Sequence, residues 1–237
     1  MIEVSDMTVR FGGVTPLDNM SVRFEKGTCG LIGPNGAGKT TFFNVLSGFV
    51  RPASGSVHGF GDNLLKLSHY RRARWGLRRT FQTEQAIEGL TVYDNVAMQH
   101  SPLRGAARRA DVVAAIEFVG GGLDPDARVG SLGAGQRRFV EVARTLAGKP
   151  RLILLDEPAA GLPEEETAHL TTVIKSIPEQ TGALVILVDH DMSLVSAVCE
   201  TTAVLDFGKL IASGPTAAVL RDENVMRAYL GTAEVTT

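Results

Sequence analysis

One stretch constrains this chain more than any other: Gly33-Pro34-Asn35-Gly36-Ala37-Gly38-Lys39-Thr40-Thr41. It follows a short apolar run, Cys29–Ile32, that reads as a strand. It leads into Gly38–Leu46, whose pattern predicts a helix stopped at Ser47-Gly48. A strand, a Gly-rich turn ending in Lys-Thr, and a helix make the G-x-x-x-x-G-K-[ST] phosphate loop. Glycines let backbone N–H groups turn inward around β- and γ-phosphates, and the positive end of the next helix adds attraction. Lys39 can reach those oxygens, and the Thr40 hydroxyl can bind Mg2+. A Gly-rich turn with a chance lysine is the alternative, and the flanking strand and helix weigh against it.

A loop of this kind needs a sheet behind it, and the sequence predicts one. Ile2–Val4, Thr8–Phe11 and Met20–Phe24 alternate as short strands. From about Val92 to Ala147 apolar residues recur at three- and four-residue steps, which predicts a helical block interrupted by Gly120-Gly121-Gly122 and Asp124-Pro125. After Pro150 come two continuous apolar runs, LILLD at 152–156 and ALVILVD at 183–189, of the kind found in buried parallel strands. Glu164–Ile177 lies between them as a helix, completing a βαβ unit. Ala203–Leu205 and Lys209–Ala212 read as a further strand pair, and Val225–Leu230 as a last short helix.

At 237 residues, with 44% apolar and 21% charged residues, the chain suits one α/β domain with a sizeable insertion. A net charge of −2 argues against a nucleic-acid binder. Two cysteines, Cys29 and Cys199, cannot form a framework of bridges and fit a reduced, ATP-using compartment. The start Met-Ile-Glu-Val-Ser is not expected to be a signal peptide. No apolar run is long enough to cross a bilayer, so membrane spans are expected from another subunit.

Three further features sit where a nucleotide site would need them. LILLDE ends in two carboxylates, and open α/β sheets bind ligands at the carboxyl ends of strands. Asp156 is expected to hold Mg2+ through water, and Glu157 to polarise the attacking water as general base. His190 follows ALVILVD in the same way and is expected to reach the γ-phosphate. Phe11, ahead of Gly12-Gly13, can stack on adenine, with an ordinary core or exposed Phe as the alternative.

A second Gly-rich turn, Leu132-Gly133-Ala134-Gly135-Gln136, also runs straight into a helix. RRTFQ ending at Gln82, LGAGQ, LILLDEP, AAGLP and VDHD follow the phosphate loop in the order of ATP-binding cassette (ABC) ATPases, and the resemblance covers nearly the whole chain. MTVRFGG, LTVYDNV, VDHDMSLV and RAYLG resemble more closely the G-type ATPase subunit of branched-chain amino acid importers. The resemblance implies an ABC-type P-loop NTPase cassette. It has a mixed β-core, an inserted helical subdomain and an antiparallel β subdomain at the N-terminal side. Residues 1–237 would form one ABC ATPase domain, with the core from about 1–90 and 150–237 and the helical signature subdomain from about 91–149.

In this family two cassettes pack head to tail, and each ATP lies between one phosphate loop and the other's Gly-rich turn. The resemblance thus implies ATP and Mg2+ as cofactors and ATP hydrolysis as the reaction. Its partners would be a second cassette, transmembrane permease subunits and, indirectly, an extracytoplasmic solute-binding protein. It places the chain on the cytoplasmic face of a membrane. A soluble ABC-type ATPase outside transport is the alternative.

Gln82 is implied as a Mg2+ or water ligand at the join between core and helical block. A groove of residues about 82–98, including Phe81, Leu90, Val92 and Tyr93, is expected to receive the permease, with an ordinary buried core as the alternative. The chain departs from the common L-S-G-G-Q form at Gly133 and Ala134, and has Pro163 where Asp or Asn is usual. Dimer closure and communication between the two sites are the properties these changes touch. HYRRARWGLRR at 69–79 is expected to be a solvated helix face, with a membrane-partner face as the second choice.

Overall fold

A computed structural model describes residues 1–99 and 101–230. The chain runs β1 (Ile2–Phe11), β2 (Val14–Phe24), β3 (Thr28–Ile32), α1 (Lys39–Ser47), β4 (Ser54–Gly59), β5 (Asp62–Asn63), α2 (His69–Trp75) and β6 (Leu77–Arg79). It continues with α3 (Val92–Ala97), α4 (Gly105–Val119), α5 (Ala134–Leu146), β7 (Leu152–Asp156), α6 (Glu164–Thr181) and β8 (Leu184–Val188). Last come α7 (Met192–Val198), β9 (Thr201–Asp206), β10 (Lys209–Pro215), α8 (Thr216–Val219) and α9 (Glu223–Leu230). Two compact units divide it: residues 1–72 with 186–237, and residues 73–185.

The first unit holds an antiparallel sheet in the order β2-β1-β4-β5. The sequence predicts two strands where β1 is one. Asp6, at φ 51°, makes the irregularity between Val4 and Met7, and Ser21 Oγ accepts its N–H at 2.8 Å. A bulge interrupts the alternation without ending the pairing. A second layer in this unit pairs β3 parallel to β9, with β10 antiparallel to β9. All five residues of β3 are buried, and so are Phe42, Phe43, Val45 and Leu46 of α1. These aromatic and aliphatic groups fix α1, and with it the end of the phosphate loop. Each contributes about 1.5–3 kcal/mol by leaving water.

The second unit pairs β6 parallel to β7, every residue of β7 being buried. Around them stand α3, α4, α5 and α6. The helix over 164–177 extends to Thr181, carrying Pro178 in its last turn and ending at Gly182, φ 70°. So near the end the missing proline N–H removes one intrahelical bond and the turn survives.

The expectation of a solvated helix face over 69–79 holds at His69, Tyr70, Arg71 and Arg74, which are exposed, and fails at Arg72 and Arg78. Arg72 and Arg78 are only 3% and 2% exposed. Arg72 donates to the carbonyls of Val45, Leu46 and Leu67, and so adds a donor at the C-terminal end of α1, where helix carbonyls lack intrahelical partners. Arg78 donates to Ala73 O at 2.6 Å and Gly148 O at 3.2 Å. Burial lowers both guanidinium pKa values to about 10, which leaves them charged at neutral pH.

Candidate functional site

In the first unit the phosphate loop leaves the buried β3 and closes on itself. Ala37 N–H donates to Pro34 O at 3.2 Å, and Phe42 N–H starts α1 by bonding Gly38 O at 2.9 Å. Two glycines are required by both conformation and space. Gly38 has φ 106°, and a Cβ there would lie 2.3 Å from Pro16 O; Gly33 has φ 149°, and its Cβ would lie 2.1 Å from Leu205 O. Gly36, at φ 80°, needs only the conformation, because nothing lies near it.

Lys39 Nζ donates to Gly33 O at 2.6 Å and Pro34 O at 2.9 Å, so the ammonium stands inside the loop it belongs to. Asn35, Gly36 and Thr40 are exposed, while Thr41 is half-buried. Tyr229 of α9 sits by the Gly33 backbone, and burial pushes its phenol up to about 12. RAYLG ends at Gly231, which lies outside the described residues.

Phe11 ends β1 at 52% exposed, which rules out the core alternative and leaves its ring face accessible. His190 is exposed and follows the buried Asp189. Its N–H donates to Asp189 Oδ1 at 2.8 Å, and its Nδ1 lies 3.8 Å from the same oxygen.

In the second unit the acidic pair stands at the end of β7. Asp156 is buried and bonded to Arg79 Nη2 at 2.9 Å, a partner the sequence reading did not give it. Its own N–H donates to Thr80 Oγ1 at 2.9 Å. Burial lowers the pKa of Arg79, and Asp156 opposes that shift. Glu157 has φ 47°, a left-handed conformation uncommon for a side chain of its size. Strain of this kind gathers at functional sites. Gln82 Nε2 donates to Glu157 Oε2 at 3.2 Å, so these two predicted site residues meet directly. Among the described residues no cluster of three or more His, Cys, Asp or Glu forms a metal cage.

The second Gly-rich turn also lies in this unit. Gly133 caps α5 without a side-chain bond, and Gly133 and Ala134 are exposed while Leu132 and Gln136 are half-buried. Gly135 is buried against the Glu166 carboxylate, where a Cβ would lie 1.9 Å from Oε2. Gln136 Nε2 points back to Gly122 O at 3.4 Å.

A cavity of about 310 Å³ opens nearby, lined by Phe81, Gln85, Ile87, Gln99, Glu141 and Arg144 among others. Phe81 lines it as expected, but Leu90, Val92 and Tyr93 do not. Val92 is fully buried, and Tyr93 is held under Arg109, 5.3 Å from guanidinium carbon to ring centre. The sequence reading also missed Arg138, Glu141 and Arg144. Their signal was a glutamate between arginines, at three-residue steps, in a helix whose apolar residues are otherwise spaced for a core.

A family model described as ABC transporter matches residues 17–160, which include the phosphate loop, the second turn and the acidic pair. The chain belongs to the ABC transporter family. A further model, branched-chain amino acid ATP-binding cassette transporter, matches residues 209–235 of this cassette. The cassette is 34% identical to the high-affinity branched-chain amino acid transport ATP-binding protein BraF of Pseudomonas aeruginosa, covering 98% of each chain. It is 34% identical to LivG of Salmonella typhimurium, again over 98% of each, and 32% identical to LivG of Escherichia coli. Among solved structures it resembles the ADP conformation of MJ1267, an ATP-binding cassette of an ABC transporter. The TM-score there is 0.87 with 25% identity, over 98% of each chain. The dimeric post-hydrolysis state of MJ0796 shares the fold, with a TM-score of 0.79 and 22% identity over 91% of this chain and 99% of that one. The ABC cassette is therefore an ATP-hydrolysing subunit of a transporter, with the mixed α/β architecture expected from its motifs. Among the described residues no helix is long and apolar enough to cross a membrane.

Proposed function

We propose that this cassette binds MgATP on its phosphate loop and hydrolyses it in a head-to-tail pair with a second cassette. The cycle drives permease subunits that import branched-chain amino acids or related small solutes. It works at the cytoplasmic face of the membrane, and an extracytoplasmic binding protein delivers the cargo. The observation that carries the reading is the phosphate loop itself, with the Lys39 ammonium held between two loop carbonyls at the start of α1. The named relatives are all transport proteins, which favours this over an ATPase apart from transport.

Backbone N–H groups of Gly36–Thr41 and Lys39 hold the β- and γ-phosphates, and Phe11 offers its exposed ring to adenine. The Thr40 hydroxyl, Gln82 amide and Asp156 carboxylate are hard oxygen donors suited to Mg2+, with Asp156 acting through water. Mg2+, when bound, offsets phosphate charge. Glu157 takes a proton from the attacking water as its oxygen bonds to the γ-phosphorus and ADP leaves. Gln82 orients that carboxylate, and His190 donates to a γ-phosphate oxygen. Leu132–Gln136 of the other cassette closes over the γ-phosphate with its helix start.

Glu157→Gln tests the reading. It should lower kcat about 10²-fold or more, as loss of a general base does, while leaving ATP bound. In MgATP the variant should elute as a dimer carrying nucleotide. A variant that hydrolyses ATP at the wild-type rate, or stays monomeric with ATP bound, refutes it.

A further inference from the structure

Helix α5 begins at the LGAGQ turn, and its four charged residues reach a different segment of the chain, Arg137 by pairing with Glu88 at 3.1 Å. Arg138 Nη1 donates to Phe81 O at 3.3 Å. Arg144 Nη1 donates to Gln85 O at 2.7 Å. Between them, Glu141 Oε1 accepts the Gln85 N–H, and its Oε2 pairs with Arg138 at 3.0 Å. The steps 138, 141 and 144 put Arg138, Glu141 and Arg144 on neighbouring turns of one helix face. The segment is therefore gripped at Phe81 and at Gln85, and Gln82 lies between the grips with its amide on Glu157.

Glu141 is the centre of this clamp. It is 4% exposed, on a helix whose other buried residues include Val140, Val142 and Leu146. A carboxylate there costs desolvation unless its oxygens are occupied, and each is: one by a backbone N–H, one by a guanidinium. Burial still raises its pKa, against Arg138, Arg144 and the Gln85 N–H. An apolar residue would fill the site without that cost, so the polar group serves geometry. The cavity beside it is lined by Gln85, Glu141 and Arg144.

We infer that Glu141 is a positioning residue: it locks residues 81–85 to α5, so that Gln82 stays aligned on Glu157 and the LGAGQ turn moves with that segment. This rests on the proposed function. It adds that the alignment of one cassette's hydrolytic pair and the placement of its own turn are a single mechanical variable.

The test is a double-mutant cycle on the purified full chain, using Glu141→Ala and Gln85→Pro, which deletes the N–H that Glu141 accepts. Phosphate release at saturating MgATP gives kcat, and mant-ATP titration gives Kd. Each single variant should lose about tenfold in kcat, within the range that small misplacements produce, with Kd within twofold of wild type. The double variant should lose no more than the worse single, because both remove one contact. Wild-type kcat in either single, additive losses, or parallel loss of nucleotide binding would each overturn it. Should Glu141→Ala fail to fold, Glu141→Lys, which leaves Gln85 N–H without its acceptor, takes its place in the cycle under the same criteria. If that also fails to fold, Gln85→Pro decides alone. Glu157→Gln in the same assay separates the failures. If it leaves kcat intact, the proposed function falls; if it abolishes kcat while the cycle is flat, only the positioning role falls.

Discussion

The two Gly-rich turns of this chain share a design and differ in how much of it is complete. Both end a loop at the start of a helix. The phosphate loop is closed by its own contacts: Ala37 to Pro34, Lys39 to Gly33 and Pro34, and glycines pressed against Pro16 and Leu205. At LGAGQ, Gly133 has open space where a Cβ would stand and an extended backbone at φ −65°, so its own chain does not require a glycine there. One turn is shaped by its own chain. The other is held in place at Gly135 and Gln136 but presents an open edge, which suits a surface that another molecule completes.

The difference can be broken deliberately. The largest effect should come from Gly38→Ala. Its Cβ meets a backbone oxygen at 2.3 Å at φ 106°, and strain of this kind costs about 1–3 kcal/mol before the clash is counted. Thermal unfolding should fall by several degrees and mant-ATP affinity should collapse with it. If both survive, the phosphate loop is as permissive as the other turn. Gly133→Ser should do far less to the fold, within about 0.5 kcal/mol as for an open surface position. Its added hydroxyl should favour pairing, so that ATPase activity rises at lower protein concentration. A drop in melting temperature as large as that of Gly38→Ala would erase the distinction between the two turns.

The smallest effect is a pH slope in the second unit. Burial raises the Glu141 pKa above its ordinary 4.5. The folded protein therefore keeps that proton longer than the unfolded chain, and stability from this group falls as pH rises from about 4.5 through the raised value. Glu141→Gln removes the slope, so its melting temperature relative to wild type should increase from pH 5 to pH 8. An unchanged difference would mean that Glu141 ionises in the folded protein as it does in water.

Much of this was legible in the residues because the signals were local. LILLD and ALVILVD declare buried strands by composition alone, and β7 and β8 fall within one residue of them. The phosphate loop was legible because backbone geometry there leaves few choices of residue. In the Arg-rich stretch Arg71 and Arg74 keep to the solvated face, but Arg72 does not, because carbonyls at the C-terminal end of α1, earlier in the chain, draw it inside. A charge pattern does not reveal which acceptors the fold will bring to it. The same blindness hid Arg79 from Asp156. Val92 is apolar and the core takes it, whereas Tyr93 stays half-buried under Arg109; apolar character alone does not separate a docking residue from a packing one.

Lys39 resting on its own loop carbonyls has a consequence for speed. A cation tethered within its own cradle acts as a built-in template, with the positive charge already standing at the seat for a triphosphate. The Lys39 side chain then exchanges loop carbonyls for phosphate oxygens, a side-chain motion that is fast beside domain movement. Nucleotide exchange on the separated subunit should then be limited by departure of the old ligand, leaving any slow step of the cycle to the meeting of two cassettes.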